Sequence, residues 1–123
     1  MMSKTILIID DSASVRTVVK TALAGAGYQV IEACDGKDAL TKLNGTKIHL
    51  IISDVNMPNM DGISFVKAAR QIADYKFTPI CMLTTEAEAS KMAEGKAAGA
   101  KAWIVKPFQP PKLLDAVSKL ILP

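Results

Sequence analysis

Five short apolar runs, each followed by a stretch of helical periodicity, constrain this chain more than any other feature: TILII from Thr5, YQVIEA from Tyr28, HLIIS from His49, PICML from Pro79 and AWIV from Ala102. They are of strand length, rich in Ile and Val, and bounded by turn residues, as strands buried on both faces require. The intervening segments change period. Val15, Val18, Val19, Ala22 and Leu23 form an apolar stripe at helical spacing, stopped by Gly25 and Gly27. A shorter pattern with Ala39, Leu40 and Leu43 follows Asp35 and Gly36, and Phe65, Val66, Ala69, Ile72 and Ala73 form the next. The alanine-rich stretch from Glu86 to Ala98 predicts a fourth helix. A fifth begins at Pro110 and Pro111, whose fixed φ suits a first helical turn, and runs through Leu113, Leu114, Val117, Leu120 and Ile121.

Strand and helix alternate throughout, so the expected class is α/β: a doubly wound five-stranded parallel sheet with helices on both faces. Right-handed crossovers leave few strand orders, of which 2-1-3-4-5 is the usual one for five βα units. The 123 residues are half hydrophobic, enough for one core, and residues 1–123 read as a single domain without a linker. Fifteen basic and twelve acidic residues leave a net charge of +3, and the lysines are scattered as on solvated helix faces, so no nucleic-acid surface is expected. Cys34 and Cys81 have no CxxC or metal-like spacing and read as buried free thiols of a reducing compartment. No apolar run approaches the roughly 18 residues of a membrane span and the first residues carry no signal-peptide pattern, which together predict a cytoplasmic protein without a membrane partner.

Open sheets of this kind bind ligands beyond the carboxyl ends of their strands. There the chain places Asp10 and Asp11 after the first run, Asp54 after the third, Thr84 and Thr85 after the fourth, and Lys106 followed by Pro107 after the fifth. In the expected order these ends are neighbours. Crowded carboxylates need a neutralising cation, and an all-oxygen cluster suits a hard divalent ion, Mg²⁺ before others. With a lysine and a hydroxyl beside it, such a cluster can transfer phosphoryl groups, one carboxylate acting as nucleophile. Taken alone, Asp11 or Ser12 also serves as an ordinary helix cap. The coincidence of complementary chemistry at four strand ends favours the site.

The motifs IIDDS at 8–12, SDVNMPNMDG at 53–62, LTTEA at 83–87 and VKPF at 105–108, in this order and spacing, resemble the receiver domain of two-component response regulators, in its stand-alone chemotaxis form without an output domain. The resemblance covers essentially the whole chain and implies a flavodoxin-like (βα)5 fold. It also implies roles. Asp54 is the phosphoacceptor for a CheA-like sensor histidine kinase, and Asp10, Asp11, Asp54 and the backbone carbonyl of Asn56 hold Mg²⁺. Lys106, Thr84 and, through its backbone N–H, Thr85 bind the phosphoryl group, and Pro107 follows a cis peptide bond. Pro58 and Gly62 shape the loop after Asp54. Thr84 and Trp103 form the switch, read on a surface of the fourth helix, fifth strand and fifth helix by a flagellar motor switch protein or a phosphatase. The implied protein is a monomeric signalling switch, an enzyme only toward its own phosphorylation and dephosphorylation.

Two positions depart from the commonest family pattern: Trp103 stands where Tyr or Phe is usual, and Thr85 where a smaller residue is. Asn56 and Glu86 match the chemotaxis type, which implies a short-lived phosphoryl state. Three rival readings remain: a receiver-fold adaptor in a non-chemotaxis phosphorelay, a Mg²⁺-dependent aspartate-nucleophile phosphohydrolase, and a flavodoxin-shaped binder. The phosphohydrolase normally carries DxD after its first strand and a cap domain, whereas this chain has DDS and no room for a cap. The binder needs a phosphate-cradling loop where two Asp residues stand.

Overall fold

The computed structural model describes residues 4–85 and 92–121. Its sheet has five parallel strands in the order β2-β1-β3-β4-β5, as expected. The strands are β1 (Thr5–Ile9), β2 (Gln29–Ala33), β3 (Leu50–Asp54), β4 (Ile80–Thr84) and β5 (Ala102–Val105). Between and after them come α1 (Ala13–Gly25), α2 (Gly36–Lys42), α3 (Gly62–Ala69), α4 (Met92–Ala98) and α5 (Pro110–Leu120). The beginning expected for the fourth helix, including Glu86, lies outside the described residues.

Because side chains alternate across a strand, the apolar runs feed two cores. Leu7, Ile9, Ile51, Ile80 and Met82 pack on one face beneath α2 and α3, against Ala39, Leu43, Phe65, Val66 and Ala69. Ile6, Ile8, Leu50, Ile52 and Leu83 pack on the other beneath α1 and α5, against Val19, Leu23, Leu113 and Val117. The three central strands β1, β3 and β4 thus bury nearly every side chain, which leaves their carboxyl ends as the place where charge can reach solvent.

Helix starts follow from local chemistry. The Ser12 Oγ accepts from the Val15 N–H at 3.3 Å, Asp35 caps α2 by accepting from Asp38 N–H at 2.8 Å, and Asp61 caps α3 through Ser64 N–H at 2.8 Å. Ser12 is therefore the α1 cap of the two residues expected to compete for it. Burial pushes the Cys81 thiol up to about 12.

Three local expectations are corrected. Val18 is 52% exposed, because only the arc of α1 around Val19 and Leu23 meets the sheet and α5. Ile72 and Ala73 lie beyond α3, which ends at Ala69 and gives way to a 3₁₀ turn over Ala73–Tyr75. Cys34 is exposed at the end of β2, at the sheet edge, whereas Cys81 is buried in β4; both are free thiols.

Candidate functional site

The adjacency of β1 and β3 brings the predicted carboxylates together: one oxygen from each of Asp10, Asp11 and Asp54 lies within 4.8 Å of the other two. Asp10 is wholly buried, Asp54 nearly so, and Asp11 is exposed. Each buried carboxylate is held by backbone. Asp10 Oδ1 accepts from Ser12 N–H at 2.9 Å, at the entrance to α1, and Asp54 Oδ1 accepts from Val55 N–H at 2.9 Å. Lys106 enters from the end of β5, its N–H bonded to the Thr84 carbonyl at 2.6 Å, and the peptide bond to Pro107 is cis. Its ammonium lies 3.2 Å from Asp10 Oδ2 and 3.3 Å from Asp54 Oδ1, bridging the two buried carboxylates.

One ammonium cannot neutralise three carboxylates. Burial, and then the charge of Asp10, push the Asp54 carboxyl up to about 6 against the opposing pull of Lys106. Burial works against the Lys106 charge as well, but Asp54 and Asp10 outweigh it and hold the ammonium above the ordinary lysine range. A compact all-oxygen donor set with an excess of negative charge fits a small hard cation such as Mg²⁺.

The other expected residues surround this cluster. Thr84 is buried at the end of β4, and its Oγ1 donates to the Thr85 carbonyl at 3.1 Å. Thr85 is exposed and shares the wall of a surface cavity of about 410 Å³ with Lys106, Val15, Val18, Pro107 and Phe108. Asn56 is exposed on the loop after β3. Trp103 does not join the cluster; it lies opposite Met82 in the β4–β5 register and its ring packs toward α4.

Gly62 sets the position of Asp54. Its N–H donates to the Val55 carbonyl at 2.8 Å, and a Cβ there would press on the Asp54 carbonyl oxygen and come within 2.7 Å of Met82 Cε. The Gly62→Ala variant is expected to lose about 1–3 kcal/mol in urea denaturation, because backbone rather than a flexible side chain has to give way. Unchanged stability would show that the loop relaxes freely.

Two supporting residues escape sequence reasoning. Arg16 reaches back from α1 to donate to the Asp10 carbonyl at 2.6 Å and pairs with Glu32 at 3.5 Å, so it fixes the end of β1. Gly95 in α4 is buried under the Trp103 indole, where a Cβ would collide with the ring. Trp103 Nε1 is buried with no hydrogen-bond partner among the described residues. A glycine inside a helix costs about 1 kcal/mol relative to alanine, so Gly95 was the one signal in the sequence that something large packs there.

A parallel sheet carrying an acidic cluster and a lysine at its carboxyl edge has the architecture of a signalling receiver. Residues 6–118 match the response regulator receiver domain, and the chain belongs to that family, a receiver of two-component signalling. Within the family it is CheY-like. It is 50% identical to the chemotaxis response regulator CheY4 of Vibrio cholerae, with a TM-score of 0.91 over 97% of this chain and 99% of that one. It is 35% identical over 120 residues to the chemotaxis protein CheY of Thermotoga maritima, covering 97% of this chain and 98% of that protein. It is also 39% identical over 113 residues to the probable transcriptional regulator ycf27 of Porphyridium aerugineum, covering 92% of this chain. The chain spans about half of that regulator, 46% of its length. Receiver domains bind Mg²⁺ at an acidic pocket and act as switches, and no helix among the described residues is long and apolar enough to cross a membrane.

Proposed function

We propose that the chain is a phosphorylation-driven switch that takes a phosphoryl group from a phosphohistidine of a CheA-like sensor kinase onto Asp54. The observation that carries this reading is the Asp54 carboxylate, nearly buried at a strand end with the Lys106 ammonium 3.3 Å away. An Asp54 carboxylate oxygen forms the new P–O bond as the N–P bond of the donor breaks, and the electron pair stays on the imidazole. Asp10, Asp11, Asp54 and the Asn56 carbonyl would hold Mg²⁺, which supplies positive charge for the phosphoryl oxygens when bound. Lys106 would exchange its Asp54 contact for a phosphoryl oxygen, and the Thr84 hydroxyl would turn from the Thr85 carbonyl to another. The withdrawal of Thr84 would then be felt at Trp103, between β5 and α4. Val105, 45% exposed on β5, belongs to the surface that a motor switch protein or phosphatase would read. A cytoplasmic, monomeric chemotaxis regulator is the role that fits these features best.

Intact mass after incubation with acetyl phosphate tests the chemistry. A Mg²⁺-dependent gain of one phosphoryl group, absent in Asp54→Asn, is expected; a gain that survives in the variant, or none in the folded Mg²⁺-bound protein, overturns the assignment. The cavity beside Thr85 and Lys106, with Val15, Val18, Pro107 and Phe108 in its wall, offers the donor protein an apolar footing beside the lysine that contacts Asp54. Val18→Glu is therefore expected to slow transfer from the kinase by about tenfold or more, the effect of a disrupted interface anchor. Its acetyl phosphate rate should stay within about twofold of wild type, since Val18 touches no reacting atom. Equal slowing with both donors would refute the docking role.

A further inference from the structure

The sheet has a second chemically distinct end, at the amino termini of its strands, roughly 15 Å from the carboxylate cluster by the rise of a five-residue strand. On the loop between α3 and β4, Phe77 is 84% exposed, the most exposed large hydrophobic residue among those described. The loop is not loose. Arg70 is stapled beneath it, donating to the Tyr75 carbonyl at 2.9 Å, the Thr78 carbonyl at 2.7 Å and, across to the α4–β5 loop, the Gly99 carbonyl at 2.8 Å. Tyr75 is buried and its hydroxyl donates to the Thr46 carbonyl at 2.7 Å. Phe77 is thus held out in water by backbone that is fixed on both sides of it.

Cations flank the ring. Lys76 Nζ lies 5.7 Å from the Phe77 centroid, and Lys101 is exposed at the start of the neighbouring strand β5. Between them runs a groove of about 370 Å³ lined by Arg70, Lys76, Phe77, Pro79, Ala100 and Lys101, with no carboxylate among the described lining residues. An aromatic ring held out in water on fixed backbone belongs to the residue class enriched at interfaces, and the two exposed lysines give the groove a positive rim.

We propose that this groove docks a short acidic segment of a partner protein, with an apolar side chain of the segment on Phe77 and its carboxylates on Lys76 and Lys101. The groove is confined to about 370 Å³, and Asp74 is exposed on the same loop outside its lining. A continuous polyanion or a flat anionic membrane would meet Asp74, whereas a short segment places its charges around it. The site is independent of phosphorylation chemistry and lies at the amino ends of the strands, meeting the α4–β5–α5 surface only at the α4–β5 connection.

The test is an amide NMR titration of the full chain with a short synthetic peptide of Glu residues around a central Leu. Shifts are expected at Lys76, Phe77, Ala100 and Lys101 and not at Asp54 or Lys106, with binding that weakens as salt is added. The double variant Phe77→Ser, Lys101→Glu changes only exposed side chains; it should melt like wild type and bind about tenfold or more weakly. Shifts elsewhere, binding that survives in the variant, or no binding at all overturn the proposal. So does tighter binding to a single-stranded oligonucleotide or to phosphatidylserine vesicles, measured alongside, which would assign the groove to those ligands instead.

Discussion

Asp54→Asn makes the metal-free protein more stable at neutral pH, by on the order of 3 kcal/mol before the cost of burying an amide. The native carboxyl titrates at about 6 against an ordinary value of 3.8. Between those values the folded state keeps a proton that the unfolded chain has released, so stability falls as pH rises through this window and the penalty is complete above it. A shift of about two units corresponds to about 3 kcal/mol. Asn retains the shape and still accepts from the Val55 N–H, so charge is the main change. Urea denaturation in EDTA should show the variant ahead at pH 7.5 and the two proteins converging near pH 4. Mg²⁺ should raise the wild type and scarcely move the variant. A less stable variant at pH 7.5 would mean that the carboxylate is compensated without metal.

Lys106→Met should have the opposite sign. Its ammonium is the cation that bridges Asp10 and Asp54, and its loss leaves a wholly buried carboxylate without that partner. Removing one member of a buried pair costs about 3–5 kcal/mol; the lysine side chain is 20% exposed, which reduces the expectation to about 2–3 kcal/mol. Added Mg²⁺ should recover much of that loss, since a divalent ion can replace the ammonium electrostatically. The same variant should be phosphorylated by acetyl phosphate about a hundredfold more slowly or worse, the scale of losing one charge-stabilising donor. If stability fell and Mg²⁺ did not restore it, the role of Lys106 would lie in packing its methylenes rather than in charge.

The strands and their order were legible because β1, β3 and β4 are buried on both faces, and burial on both faces writes itself as an unbroken apolar run. Strand order then decides which strand ends meet, so Asp10, Asp11, Asp54 and Lys106 were found together where the runs ended. Helix faces were harder to read. Val18 is adjacent to Val19 and sits at the edge of the same apolar arc, and only the neighbouring elements decide that one is buried and the other half in water. Ile72 continues the α3 periodicity, yet the helix stops before it, where Arg70 turns to hold three carbonyls that no local pattern announces. The support that Arg16 gives Asp10 is likewise a contact across elements, invisible to spacing.

The meeting of Trp103 and Gly95 also has an optical consequence. The chain contains a single tryptophan, so every photon of indole emission comes from the contact between β5 and α4. Its Nε1–H is shielded and has no acceptor among the described residues, so emission on the blue side of a solvated indole is expected. Any rearrangement that lifts α4 away from the ring admits water to that N–H and moves the spectrum to the red. The protein therefore carries its own unlabelled optical gauge of the packing between β5 and α4.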